Sequence, residues 1–129
     1  MCENLFYIDD NEYEHLIVES LIKNYTDCKK ITCFLNGRDA LNSLEKNKSN
    51  PDGLPDVMLV DIFMPEFSGW EFLDEFKGLY PNLSKKIVVY ILSSTIDRGD
   101  IEHAKRYSFV KSCITKPLTQ SMVEKLGLD

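Results

Sequence analysis

The sequence has few of the residues that build zinc sites or disulfide frameworks. It contains two histidines and four cysteines among 129 residues, and His15 and His103 lie far apart along the chain. The cysteines are scattered, without the paired spacing of metal ligands, at Cys2, Cys28, Cys33 and Cys113. This spacing argues against a zinc site. We expect four free thiols and assign no role to either histidine.

The sequence also lacks an excess of positive charge and any long apolar run. Its 21 acidic residues outnumber its 15 basic residues, which gives a formal net charge of -6. Such a balance disfavours nonspecific binding to nucleic acid or to an anionic membrane. No apolar run approaches the roughly 20 residues that a membrane helix needs, and no secretory leader is recognisable. We expect a cytoplasmic chain that binds neither nucleic acid nor membrane and whose partners are proteins or a cation.

What the sequence does contain is a regular alternation of short apolar runs and amphipathic segments. A length of 129 residues with 43% hydrophobic content predicts one domain, spanning 1–129. Five runs rich in β-forming residues predict strands at 5–8, 30–35, 57–60, 86–92 and 112–115. Helices are predicted from a cap at Asp10 or Asn11 to about 24, after an Asn36-Gly37 turn, beyond Gly69 to about 80, from Asp97 to about 107, and from Thr119 to 126.

Strands that alternate with helices predict an α/β fold with a doubly wound parallel sheet. Parallel neighbours cannot be joined by a tight turn, so each pair needs a crossover connection, which the intervening helices supply. The carboxyl ends of the five strands then share one edge, where open α/β sheets place their functional groups.

Polar residues follow four of these strands, at the predicted functional edge. They are Asp9 and Asp10, Asp61, Ser93 and Ser94, and Lys116. Three crowded carboxylates repel one another, so they are stable only if protons or a cation neutralise them. Ligands that are all oxygen favour a hard ion, and Mg²⁺ fits best because it also leaves positions for a phosphate oxygen. An aspartate can act as a nucleophile toward phosphorus, while a lysine and a hydroxyl bind the phosphoryl oxygens.

Each of these motifs also has an ordinary structural interpretation. Asp9-Asp10-Asn11 can be a helix cap, Ser93-Ser94-Thr95 a polar loop, and Lys116-Pro117 a surface turn. Asp61 is harder to explain in this way, because an acid directly after four buried apolar residues is costly without a partner. The combination of motifs, more than any one of them, favours a phosphoryl-transfer site.

In combination, the motifs resemble the receiver domain of bacterial two-component response regulators, over essentially the whole chain. The matching residues are Asp9-Asp10, Asp61-Ile62-Phe63-Met64-Pro65 with Gly69, Ser93-Ser94, and Lys116-Pro117. The resemblance implies a flavodoxin-like (βα)5 fold with strand order 2-1-3-4-5.

The resemblance also implies a metal site. Mg²⁺ would be held by Asp9 or Asp10, by Asp61 and by the backbone carbonyl of Phe63. Asp10 is favoured as a direct ligand, and Asp9 as a ligand through water.

The resemblance further assigns the phosphoryl chemistry. Asp61 would be the phosphoacceptor, Ser93 would swing toward the phosphoryl group, and Lys116 would bind it. The Lys116-Pro117 bond is cis in similar proteins. Residues near the phosphoacceptor, Phe63 and Thr95, would influence the rate of dephosphorylation.

The partners implied by the resemblance are proteins. The phosphoryl donor would be a histidine kinase or a histidine phosphotransfer protein, and the chain would catalyse only its own phosphorylation and dephosphorylation. A downstream target would bind the face formed by helix 4, strand 5 and helix 5, about Asp97 to Leu126. Cys113 stands where the family commonly has an aromatic switch residue, and Tyr107 or Phe109 are the candidates to compensate. We expect a stand-alone receiver, although a segment of a longer regulator would have the same sequence.

Three other functions are alternatives to this one. An aspartate-nucleophile phosphatase of the haloacid dehalogenase type uses a second acid two residues after the nucleophile, where this chain has Phe63. A flavodoxin-like cofactor binder needs a phosphate-cradling loop where this chain has two acids that would repel the anion. A receiver-like module that binds its partner without phosphorylation stays open.

Overall fold

The computed structural model describes residues 2–128, which form a five-stranded, all-parallel sheet in the order β2-β1-β3-β4-β5. The strands are β1 (Leu5–Ile8), β2 (Ile31–Phe34), β3 (Val57–Asp61), β4 (Val88–Ser93) and β5 (Val110–Thr115). The helices are α1 (Glu12–Tyr25), α2 (Gly37–Lys46), α3 (Gly69–Leu79), α4 (Arg98–Ala104) and α5 (Gln120–Glu124). Short 3₁₀ turns lie at Pro51–Gly53 and Tyr80–Asn82. The predicted fold class and strand order are confirmed.

The register of the sheet brings the ends of its central strands to one level. Ile8 at the end of β1 pairs with Val60, and Asp61 at the end of β3 pairs with Leu92. Both are parallel pairings, so the residues that follow these strands emerge side by side at the carboxyl edge. The fold therefore assembles a site from segments that are far apart in the sequence.

Two apolar cores cover the two faces of the sheet. On one face, Phe72 and Phe76 of α3 are fully buried against β1, β3 and β4. On the other face, Ile22 of α1 and Val123 of α5 pack against Tyr7 of β1. Every residue of β3 is buried, as expected of a strand covered on both sides. Among residues 2–128, no helix has the length and apolar character needed to cross a membrane.

Side-chain caps fix where the helices begin. The first helix is capped by Asn11 and not by Asp10, the other predicted candidate. Asn11, Asp97 and Thr119 each accept a hydrogen bond from a backbone N–H in the first turn of the following helix. Asn36 does the same for α2. The chain bends at Leu35 and Asn36, where a turn was predicted, and the helix begins at Gly37.

Two helices end earlier than the sequence pattern predicts. Helix α4 ends at Ala104, three residues short of the predicted end at Tyr107, and α5 ends at Glu124. Tyr107 and Phe109 lie in the core just beyond α4. Their apolar character, which lengthened the predicted helix, serves the packing of the segment that leads into β5.

The expectation of four free thiols is wrong for one pair. The sulfurs of Cys2 and Cys28 are bonded to each other, whereas Cys33 and Cys113 are free and partly buried. The parallel pairing of Leu5 with Ile31 places the segments that precede β1 and β2 side by side. The pairing of the two cysteines thus follows from tertiary structure, and their spacing along the sequence gives no sign of it.

Candidate functional site

Three carboxylates meet at the carboxyl edge of the sheet. One oxygen from each of Asp9, Asp10 and Asp61 lies within 4.8 Å of the others. Asp9 and Asp61 are buried at the ends of β1 and β3, and Asp10 is exposed. All three are hard oxygen donors, and the cleft beside them, of about 400 Å³, is open to solvent. This donor set fits Mg²⁺, which takes one or two carboxylates and retains several waters.

Asp61 is a buried carboxyl group with a raised pKa. Its side chain is only 6% exposed. Burial, reinforced by the negative charge of Asp9, raises its pKa from 3.8 to about 6, although Lys116 and the backbone N–H of Phe63 oppose the shift. The ionised carboxylate is therefore costly when nothing neutralises it, and a bound cation would stabilise it.

Lys116 is shared between the two buried acids. Its Nζ donates to Oδ2 of Asp9 at 2.6 Å and lies 3.6 Å from Oδ1 of Asp61. Burial alone would lower the pKa of Lys116, but the hydrogen bond to Asp9 and the charges of Asp61 and Asp9 outweigh burial and raise it. The ammonium group is thus held charged inside the cleft. The bond from Lys116 to Pro117 is cis, as predicted.

The hydroxyl groups after β4 differ in where they point. Ser93 is buried, and its Oγ donates to the carbonyl oxygen of Thr95 at 2.7 Å and accepts from the N–H of the same residue at 3.3 Å. Ser94 is exposed and lines the acidic cleft, and Thr95 is exposed in the loop. The predicted site residue Ser93 therefore lies next to the site, but its hydroxyl is hydrogen-bonded within its own loop.

The loop after β3 is pressed against the start of α3. A Cβ at Gly69 would lie 2.5 Å from the carbonyl oxygen of Asp61 and 2.8 Å from the Cα of Ile62. No side chain fits there, so glycine is required by close approach of the backbone. Phe63 in the same loop lines the acidic cleft with its side chain 62% exposed.

Two residues outside the predicted site, Tyr7 and His15, contact Asp9. The hydroxyl of Tyr7 donates to Asp9 Oδ2 at 2.5 Å, and Nε2 of His15 donates to the carbonyl oxygen of Asp9 at 2.7 Å. His15, for which no role is predicted, thus contacts the backbone of the site. The alternation of side chains along a strand is the signal that could have indicated Tyr7, because residues two apart, such as Tyr7 and Asp9, lie on the same face of the sheet.

Near Cys113, aromatic residues link α3 to the end of α4. The ring of Trp70 stacks on His103 with centroids 3.8 Å apart, and the hydroxyl of Tyr107 donates to Asp74 at 2.5 Å. Cys113 itself lines a separate cleft of about 500 Å³ between α4 and β5. Cys113 thus stands at the position that was expected to be aromatic. Tyr107, one of the candidates to compensate, is held to α3 by its hydrogen bond to Asp74.

Comparison with known proteins gives a consistent result. The chain matches the family model for the response regulator receiver domain over residues 5–126. It is 34% identical over 92 residues to a protein-glutamate methylesterase/protein-glutamine glutaminase of Treponema denticola, an alignment that covers 71% of this chain. The chain spans only 22% of that relative's length.

Solved structures agree in fold. A two-component response regulator from Cytophaga hutchinsonii superposes with a TM-score of 0.87 at 27% identity, over 97% of this chain and 93% of that one. The phosphorylated cyanobacterial phytochrome response regulator RcpA superposes with a TM-score of 0.76 at 26% identity, over 98% of this chain and 89% of that one.

Proposed function

The chain belongs to the response regulator receiver domain family, and we propose that it accepts a phosphoryl group from phosphohistidine onto Asp61, with Mg²⁺, and thereby switches a protein-binding surface. One observation carries this proposal. A buried aspartate at the end of the central strand faces an open cleft in which two further acids and a lysine converge. Phosphorylation of a similar protein, the cyanobacterial regulator, supports it.

Asp61 is the nucleophile of the proposed phosphoryl transfer. A carboxylate oxygen of Asp61 forms a bond to phosphorus, and the bond from phosphorus to the donor's imidazole nitrogen breaks, leaving its electron pair on the nitrogen. Asp10, Asp61 and the backbone carbonyl of Phe63 would hold Mg²⁺, with Asp9 contributing through water. When bound, the ion offsets negative charge on the phosphoryl oxygens.

Lys116 and Ser93 bind the phosphoryl group after transfer. The ammonium of Lys116 lies between Asp9 and Asp61, so a phosphoryl group on Asp61 competes directly for it. The hydroxyl of Ser93 exchanges its bond to the Thr95 carbonyl for a bond to a phosphoryl oxygen. Both changes alter the loops that follow β4 and β5, which couples the site to the surface formed by α4, β5 and α5. That surface, about Asp97 to Leu126, is proposed to bind the target.

The donor is proposed to dock beside the site, on α1. This helix begins directly after the acids and presents Tyr13, Leu16 and Ile17 with 79%, 68% and 53% of their surface exposed. Adjacent exposed apolar side chains of this size suit contact with another protein. The proposed partner is a histidine kinase or a histidine phosphotransfer protein, because either one presents a phosphohistidine.

No turnover of external substrates is proposed. A phosphatase that uses an aspartate nucleophile needs a second acid two residues on, and Phe63 occupies that position with no group able to transfer a proton. The catalysis we propose is limited to phosphorylation and dephosphorylation of Asp61 itself.

The test of this function is the intact mass of the protein after incubation with acetyl phosphate. We expect a single phosphoryl adduct that forms only with Mg²⁺ and is lost in Asp61→Ala. If no adduct forms in any condition and beryllofluoride also fails to bind, the chain acts as a binding module that signals without phosphorylation.

A further inference from the structure

A buried tyrosine lies directly beneath the acidic site. Tyr7 belongs to β1 and is 0% exposed, with its ring in the apolar core between the sheet, α1 and α5. Its hydroxyl reaches the carboxyl edge of the sheet and donates to Oδ2 of Asp9 at 2.5 Å. An apolar residue of similar size would fill the core equally well, so the core does not account for the hydroxyl.

The hydrogen bonds of Asp9 show what this hydroxyl does. Oδ2 accepts two bonds, from the Tyr7 hydroxyl and from Nζ of Lys116, while Oδ1 accepts one, from the backbone N–H of Asn11. A carboxylate has about four lone-pair sites, two on each oxygen. Oδ2 is therefore saturated by protein donors, and the remaining acceptor site of Asp9 is on Oδ1.

We infer that Tyr7 is a positioning residue of the acidic site, which holds the Asp9 carboxylate so that Oδ1 is left to serve, through water, a divalent cation held by Asp10 and Asp61. The inference rests on the proposed function in so far as the cation is Mg²⁺. Tyr7 acts through Asp9 and contacts neither the cation nor the phosphoryl group.

Tyr7 has a role that Lys116 cannot fill. In the proposed function the ammonium of Lys116 turns to the phosphoryl group on Asp61, which removes one of the two donors from Asp9 Oδ2. Tyr7 is fully buried and has Asp9 as its hydrogen-bond partner, so it stays in place. Asp9 is thereby held in the same orientation before and after phosphorylation.

The variant that tests this is Tyr7→Phe, which keeps the ring and removes only the hydroxyl. Loss of a residue that orients a metal ligand lowers metal affinity by about tenfold or more. We expect Mg²⁺ to bind Tyr7→Phe about tenfold more weakly, measured by calorimetric titration with MgCl₂. Phosphorylation by acetyl phosphate should slow at low Mg²⁺ and recover at saturating Mg²⁺, a recovery that a general structural defect would not give.

Tyr90→Phe is the matched control. Tyr90 is buried in β4 in the same core, and its hydroxyl donates to the carbonyl oxygen of Leu126 at 3.3 Å, away from the acids. Both variants lose one buried hydroxyl, and only Tyr7→Phe should change Mg²⁺ affinity.

The outcomes separate the two claims. Wild-type protein that binds no Mg²⁺ would overturn the proposed function. Equal affinity in all three proteins, or equal weakening in the two variants, would overturn the role of Tyr7 alone. If Tyr7→Phe does not fold, wild-type protein with ¹³C-labelled tyrosine decides. The Cζ resonance of Tyr7 should then shift on addition of Mg²⁺ while that of Tyr90 does not, and an unmoved Tyr7 resonance contradicts the inference.

Discussion

Asp61 is the residue at which burial and function oppose each other most directly. Its pKa is raised to about 6, so between about pH 4 and pH 6 the folded protein holds a proton that the unfolded chain releases. The contribution of Asp61 to stability therefore falls as pH rises through this window when no divalent cation is bound. The same carboxylate, once ionised, is the nucleophile that the proposed function needs.

Asp61→Asn should remove this cost. The substitution preserves shape and leaves a neutral side chain, so at pH 7 in EDTA we expect the free energy of unfolding to rise by about 2 kcal/mol. At pH 4 the difference should largely vanish, because the wild-type carboxyl group is then protonated. Urea unfolding at the two pH values measures both. A variant that is less stable than wild type at pH 7, or equally stabilised at both values, would contradict the electrostatic account of the site.

The residues of the site differ in how far sequence could assign them. The positions of Asp61 and Lys116 were predictable, because Asp61 ends a strand of the parallel sheet and Lys116 directly follows one. Tyr7 was not predictable as part of the site, because an aromatic ring is ordinary in a buried strand and explains the residue without any role for its hydroxyl. The orientation of the Ser93 hydroxyl toward Thr95 is a rotamer within a loop, which no spacing of residues predicts.

At the scale of elements, the contact between β3 and α3 fixes the backbone of the phosphoacceptor. Gly69 starts α3, and an added Cβ there would lie 2.5 Å from the carbonyl oxygen of Asp61. Gly78, near the end of the same helix, has nothing within 4 Å of an added Cβ. Gly69→Ala should lower the free energy of unfolding by about 2 kcal/mol or more, since backbone must move to admit the methyl group.

Gly78→Ala is the control within the same helix. Alanine is favoured over glycine in a helix, so this variant should be more stable by about 0.5–1 kcal/mol. Denaturant unfolding of both variants gives the comparison. Equal effects of the same sign at the two positions would show that helix propensity, and not the contact with Asp61, governs Gly69.

Helix α1 is the proposed docking site of the phosphoryl donor. Leu16→Asp places a charge in the exposed apolar surface and should slow transfer from a histidine phosphotransfer protein by about tenfold or more, as expected for loss of an anchor residue. Phosphorylation by acetyl phosphate should stay unchanged, because Leu16 does not line the acidic cleft. The control is Ile101→Asp, the same change at an exposed residue of α4. Slowing by both variants alike would contradict docking on α1.

The elements themselves were largely predictable from the sequence. The period of apolar residues and the caps at Asn11, Asp97 and Thr119 placed the strands and the starts of three helices. The ends of α4 and α5 were not predictable to the residue. There, apolar side chains that fit a helical pattern are used for core packing outside the helix, and only the three-dimensional structure distinguishes the two uses.

For the whole molecule, the sheet order converts short local signals into one site. The central position of β1 and β3 brings Asp9, Asp10 and Asp61 together, and β4 and β5 add Ser94 and Lys116 to the same cleft. The bond between Cys2 and Cys28 has the same origin but no local signal, because neither residue belongs to a strand. Sequence thus predicts contacts that follow from strand ends better than contacts that follow from how loops meet.

The central claim is that Asp61 becomes an aspartyl phosphate, and the position of the modification tests it most directly. Protein treated with acetyl phosphate and Mg²⁺ is reduced with borohydride, which converts an aspartyl phosphate to homoserine, and its peptides are mapped by mass spectrometry. We predict homoserine at position 61, with Asp9 and Asp10 unchanged, and none when Mg²⁺ is omitted. Homoserine at another aspartate, or an unmodified Asp61 in protein that carries a phosphoryl adduct, would contradict the account.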